Sequence, residues 1–164
     1  MFRTITDFKS TFEHETKATK AVFDALTPES LSQAIAGDHR TIGRIAWHIV
    51  YTFQEMLAHI GLKFSDFSED IPADPKVISE KYMEYATALM DQVKDWDDEK
   101  LLETDDLYGE QWKKGATLLI LFNHEIHHRG QITVLMRQAG LKVPDIYGPA
   151  YEGWAAYNAE PPKI

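Results

Sequence analysis

Thr117 to Ala139, TLLILFNHEIHHRGQITVLMRQA, decides the reading of this chain: a run of apolar helix formers is interrupted by three of the protein's seven histidines. At about 3.6 residues per turn, His124 and His128 lie one turn apart on one face, with Cβ atoms roughly 5–6 Å from each other. Two imidazoles so placed can grip one metal ion. Leu121 and Leu135 continue that face, so the pair sits where a bundle helix looks inward. Neutral imidazoles withdrawn from water need a partner for each ring nitrogen, and a metal is one way to supply it. The blander alternative is a polar seam in which the rings bond to neighbours or face water. His127 competes for the role, three residues from His124 but displaced by about a hundred degrees from His128. Spacing leaves it open, although Leu121, His128 and Leu135 favour the 124/128 face.

Composition narrows the chemistry. The chain has 164 residues, 44% of them hydrophobic and 12% aromatic, which suits one domain over 1–164 with a sizeable core. It contains no cysteine, so disulfides, thiolate metal sites and a cysteine nucleophile are excluded, and a metal must be held by His with Asp, Glu or water. The formal charge of −9 opposes nucleic-acid binding, which needs clustered Lys and Arg. Ser65 to Asp106 carries fourteen Asp or Glu against four Lys and reads as a solvated face. No run of about 18 apolar residues and no secretory pattern is visible, so the expectation is a cytoplasmic protein without a membrane span.

Outward from the histidine helix, residues 2–26 form a first helical stripe through Phe2, Ile5, Phe8, Phe12, Val22, Phe23 and Leu26. Glu15, Thr16 and Thr19 break it midway. Such a break signals either a cavity lined by functional groups or frayed patterning, which makes Glu15 a weak site candidate; His14 falls off the stripe and reads as surface. A short turn follows from Thr27 to about Ile35, and then a second long helix over 41–60, closed by Gly61. His48 lies on its apolar flank with Glu55 two turns along the same face. A lone flanking histidine is more often a satisfied core residue, but the pair on the last helix lacks a third ligand. Pro75 opens a third helix with Ile78, Tyr82, Tyr85, Leu89, Val93 and Trp96 on a nearly heptad stripe.

Two connections are long. Residues 62–74 can cross the end of a bundle, and 97–116 is either disordered or a packed functional loop, with Tyr108 and Trp112 favouring packing. Gly130 inside the last helix suggests a close helix contact, and Gly140 a C-terminal cap. Tyr147, Tyr151, Trp154 and Tyr157 make the tail too aromatic to float. Pro149 is placed to open a short helix to about Asn158 across one end of the bundle, where it could cover the metal.

Three segments together, TIGRIAWHIVYTFQEML at 41–57, WKKGATLLILFNHEIHHRGQITVLMRQAGL at 112–141 and VPDIYGP at 143–149, resemble the DinB family, within the DinB and YfiT-like superfamily of metal-binding four-helix bundles. The resemblance spans most of the chain. It implies an all-α four-helix bundle with long crossover connections, a helix order departing from up-down-up-down, and often a homodimer. It also implies three metal ligands, His48, His124 and His128, with His127 outside the coordination sphere and the remaining positions left to water. Superfamily members that this chain resembles include bacillithiol S-transferases and a mycothiol-dependent maleylpyruvate isomerase.

The expectation is therefore a divalent-metal protein, with Zn, Ni or Fe at three imidazoles, acting on a small molecule by thiol transfer with a low-molecular-weight thiol. The alternatives are a metal-dependent hydrolase and a non-enzymatic metal-binding bundle; a partner-binding module using the acidic segment ranks behind them. No catalytic residue is assigned. An open pocket bordered by Glu15, Tyr51, Glu55 or Gln131 would favour catalysis, and a sealed site a structural ion.

Overall fold

Helices start in this chain where a side chain can replace a missing backbone acceptor. The computed structural model describes residues 1–163. Thr4 accepts from the Asp7 amide to open α1 (Ile5–Asp24), and Thr41 accepts from the Arg44 amide to open α2 (Ile42–Leu57). Asp74 accepts from the Lys76 amide, with Pro75 in the first turn, to open α3 (Pro75–Gln92). The last helix, α4 (Lys114–Gln138), has no side-chain cap. Its first amide instead donates to the Glu103 carbonyl at 2.9 Å, which ties it to the segment that precedes it. Gly61 and Gly140 adopt φ of 83° and 76° just beyond α2 and α4, the left-handed turn that frees a chain from a helix end.

The bundle order is crossed. α1 packs beside α3 and α4, and α2 also packs beside α3 and α4, so α1 and α2 occupy opposite corners, as do α3 and α4. α1 runs parallel to α4, since Phe8 meets Phe122 while Glu15 meets Arg129 further along both helices. Such an order is not up-down-up-down and needs the long connections. The centre is aromatic: Phe8, Phe12 and Phe122 stack with ring centroids 5.7–5.8 Å apart, and Phe53 meets Tyr82 edge to face at 5.7 Å. Ile78, Tyr82, Tyr85, Leu89 and Val93 are all fully buried, so the stripe read for α3 is its core face. No helix among the described residues is long and apolar enough to cross a membrane.

Three expectations need correction. Of the two alternatives for 97–116 the segment is packed rather than disordered, with Leu101 and Leu107 buried, but it has regular structure that was not expected: a short 3-10 turn, Lys100–Leu102, and an antiparallel hairpin of β1 (Thr104–Leu107) and β2 (Glu110–Lys113). Tyr108 and Gly109 form its two-residue turn with φ of 56° and 86°, the mirror-image turn that suits strand twist. Tyr108 is 62% exposed, not packed in the core; its hydroxyl donates to Glu55, which holds the hairpin tip to α2. In the tail, only Trp154–Tyr157 forms a 3-10 turn, and Tyr151 and Tyr157 are exposed.

The third correction concerns glycine. A Cβ on Gly130 would meet nothing within 4 Å, whereas one on Gly115 would lie 2.7 Å from the Phe2 carbonyl oxygen, where the N-terminal segment crosses the start of α4. The close approach therefore belongs to Gly115. Gly115→Ala is expected to lower stability by about 1–3 kcal/mol through overpacking against backbone, while Gly130→Ala should raise it by up to about 1 kcal/mol through helix propensity. Urea unfolding midpoints of the two variants check both signs.

Candidate metal centre

α2 and α4 face each other, and the residues that meet across their seam include His48 from the former and His124 and His128 from the latter. The Nε2 atom of His124 lies 3.1 Å from Nε2 of His48 and 3.1 Å from Nε2 of His128. One ligand nitrogen from each ring lies within 4.8 Å of the others, a grouping that could hold a metal ion. Nitrogens bound to one ion at about 2.0–2.1 Å stand about 2.9–3.4 Å apart at angles between octahedral and tetrahedral. The observed separations fall in that range.

The protons sharpen this fit. The Thr52 hydroxyl donates to the His48 carbonyl at 2.8 Å, leaving its oxygen to accept from Nδ1–H of His124 at 3.5 Å. With the Gln131 amide as oriented, Nδ1–H of His128 donates to Gln131 Oε1 at 2.8 Å, and the amide nitrogen donates to Nε2 of His127 at 3.1 Å. A neutral imidazole carries one proton, so in the tautomers that place it on Nδ1, His124 and His128 turn Nε2 lone pairs toward each other. Two lone pairs at that distance repel unless a proton or a cation lies between them. Addition of a proton is opposed: burial above all, reinforced by the neighbouring imidazoles, pushes His48 and His124 down to about 4, and burial also lowers His128. A donor set of three neutral imidazoles, two of them oriented by Thr52 and Gln131, therefore suits a divalent ion. His127 is outside the group and exposed; it meets the group through Gln131 and by edge-to-face contact with the His128 ring at 5.0 Å.

A cavity of about 700 Å³ reaches His128. Ile35, Ile45, Val134 and Leu135 give it apolar walls, and Asp38, His39, Arg40, His127 and Gln131 are its other polar lining residues. Of the four residues whose presence in a pocket would favour catalysis, Gln131 borders this cavity, and Glu15, Tyr51 and Glu55 are elsewhere. The tail contributes nothing to it and so does not cover the histidines from this side.

Glu15 belongs to a second polar system on the α1 side of α4, which the sequence reading missed except for its α1 half. Its carboxylate accepts from Arg129 at 2.7 Å and from the Tyr147 hydroxyl at 2.7 Å, and the Arg129 and Glu15 side chains are only 2% and 6% exposed. Arg129 also donates to Thr19 at 2.9 Å. Glu125, fully enclosed, accepts from Thr19 at 2.5 Å and Tyr82 at 2.7 Å through Oε1, while Oε2 has no partner. Burial pushes its carboxyl up to about 7, which leaves Oε2 as the place for a retained proton. The signal lay in spacing: Leu118, Phe122, Glu125, Arg129, Ile132 and Met136 form one buried 3–4 stripe.

Comparison with known proteins agrees with this architecture. The DinB family profile matches residues 1–163. The chain belongs to the DinB family. It is 41% identical to the uncharacterised protein YrdA of Bacillus subtilis strain 168, over 100% of both chains. Among solved structures, a DinB-like protein of Bacillus cereus ATCC 10987 superposes with a TM-score of 0.86 at 42% identity, covering 90% of this chain and 100% of that one. The DinB-like YjoA of Bacillus subtilis superposes with a TM-score of 0.68 at 21% identity over 87% of this chain and 99% of that one, a likeness of fold.

The two polar systems of this DinB protein oppose each other in their dependence on pH. Histidines whose folded pKa is depressed leave the unfolded chain with more bound protons between about 4 and 6.5, so metal-free stability rises with pH there. Glu125, raised from 4.5 to about 7, holds more protons when folded, so its contribution falls as pH rises through that window. Metal-free Glu125→Gln is therefore expected to gain stability more steeply than the wild type between pH 4.5 and 6.5. Urea midpoints across that range read the two slopes.

Proposed function

We propose that this protein binds a divalent ion, Zn, Ni or Fe, through His48, His124 and His128 and uses it in thiol transfer to a small electrophile. The observation that carries the reading is the convergence of the three rings, with Nε2 of His124 3.1 Å from Nε2 of His48 and 3.1 Å from Nε2 of His128. An ion held by three imidazoles keeps positions for an exchangeable ligand and lowers the pKa of a thiol or water placed there.

The chain's own residues supply placement. Gln131, with its amide as oriented, accepts the Nδ1 proton of His128 at 2.8 Å, which favours the tautomer whose Nε2 lone pair faces His124, and Thr52 lies beside Nδ1 of His124. Low basicity keeps the imidazoles deprotonated well below neutral pH, so ligands and protons compete little. Ile45, Val134 and Leu135 take up the organic part of a substrate and shed its water. In the transfer, a sulfur–carbon bond forms, the bond from carbon to the leaving group breaks with its electron pair, and the thiol proton passes to solvent.

Metal analysis tests the first half. The wild type should carry about one divalent ion per chain, His128→Ala should lose most of it, and His127→Ala should stay near normal. Equal loss in both variants would make His127 a ligand or an indispensable support for His128. Turnover tests the second half: with a low-molecular-weight thiol and a chlorinated aromatic, the rate should rise with pH through about 7 and vanish on chelation. Metal-dependent cleavage of esters or amides without thiol transfer would instead identify a hydrolase. A metal-replete protein inert to the whole panel would be a non-enzymatic bundle.

A further inference from the structure

Arg40 lies where the chain approaches α2, on the wall of the cavity that ends at His128, and makes no ion pair or side-chain hydrogen bond among the described residues. The acid nearest in sequence, Asp38, also lines the cavity but sits 3.0 Å from His39 Nδ1 and is 89% exposed. The same cavity is walled in part by Ile35, Ile45, Val134 and Leu135, and Ile35 and Val134 are 57% and 55% exposed, so aliphatic surface is open to a ligand there. A free guanidinium beside aliphatic walls is the recognition pattern of an amphipathic anion: the fork binds a carboxylate through two charge-assisted hydrogen bonds while the walls desolvate a hydrocarbon body.

We infer that the cavity beside His128 binds small organic acids, with Arg40 holding the carboxylate and Ile35, Ile45, Val134 and Leu135 the apolar body. This names the substrate class for the proposed reaction and rests on that reading for its catalytic meaning; the binding itself needs no metal. Arg40 is a specificity residue here, one that selects acidic substrates over neutral analogues of equal shape.

Titration calorimetry on metal-free protein with 3-phenylpropanoate, and with 3-phenylpropan-1-ol as its neutral counterpart, tests this. The acid should bind the wild type about tenfold more tightly than the alcohol, the order expected for a charge-assisted bond. Arg40→Gln should remove that preference without altering alcohol binding, and Arg40→Lys should restore part of it, since an ammonium keeps the charge but not the fork. Arg44→Gln, a control in the first turn of α2 outside the cavity lining, should stay within about twofold of the wild type. No acid binding at millimolar concentration, equal binding of acid and alcohol, or equal weakening by Arg40→Gln and Arg44→Gln each overturns the inference. Metal content and thiol turnover, measured separately on wild type, report on the proposed function. Acid binding in a protein that holds no metal sinks only that function, and thiol turnover indifferent to Arg40 and to substrate charge sinks only the carboxylate site.

Discussion

Arg129 can remain charged at the centre of this bundle only because α1 brings Glu15 and Thr19 to meet it. A guanidinium at 2% exposure pays a desolvation cost of several kcal/mol, which is offset only when its donors are matched by geometry. Here the carboxylate of Glu15, its carbonyl, the Thr19 hydroxyl and the Tyr147 hydroxyl all accept or share its protons. A slip of α1 along α4 by one turn would strand the charge. The pair therefore fixes the register of two parallel helices whose apolar surfaces alone, stacked Phe8, Phe12 and Phe122, would tolerate sliding.

That constraint propagates to both ends of the chain's fold. Tyr147 reaches the same carboxylate while stacking on His14 at 5.8 Å and lying under the Arg129 guanidinium at 5.3 Å, and Glu152 accepts from Arg137 at 2.7 Å, so the tail is tied to α1 and α4 although the Tyr147 ring is 63% exposed. Around α4, His124 and His128 each stand one residue before a buried charge, about a hundred degrees round the helix, so orienting it for Glu125 and Arg129 also orients the two histidines toward α2. One helix thus carries a sealed polar system and an open one on adjacent faces. Gln131 borders the open one from its exposed edge, while Thr52, buried on α2, lies beside Nδ1 of His124.

Apolar periodicity made the four long helices readable: the stripe from Ile78 to Val93 is the buried face of α3, and the flank position of His48 proved to be the face turned to α4. The histidine trio was readable because spacing joined two of them and family resemblance supplied the third. The hairpin was not, since its turn begins with Tyr108 where Asn or Asp would have announced it, and its strands are four residues each with three acids among them. Nor were Glu125 and Arg129, because charged residues inside HEIHHRG look like a solvated face to any rule that sorts by polarity. Glu15, Thr16 and Thr19 were noticed as a break in an apolar stripe; what spacing on one helix could not reveal was the complementary break on another.

The chemistry of the histidine site follows from what is absent around it. A chain with a formal charge of −9 has carboxylates in abundance, yet among the described residues none joins the three-imidazole group. The densest acidic stretch, Ser65 to Asp106, builds α3 and its connections, and α3 stands diagonally across the bundle from α4. Neutral imidazoles leave the charge of a bound divalent ion uncompensated, and Arg40 adds to the positive field rather than opposing it. A carboxylate ligand would cancel part of that field and raise the pKa of whatever occupied the remaining positions. With a divalent ion bound, its charge would add to that of Arg40 in a cavity partly walled by Ile35, Ile45, Val134 and Leu135, where an anion would meet less competition from water than on the open surface.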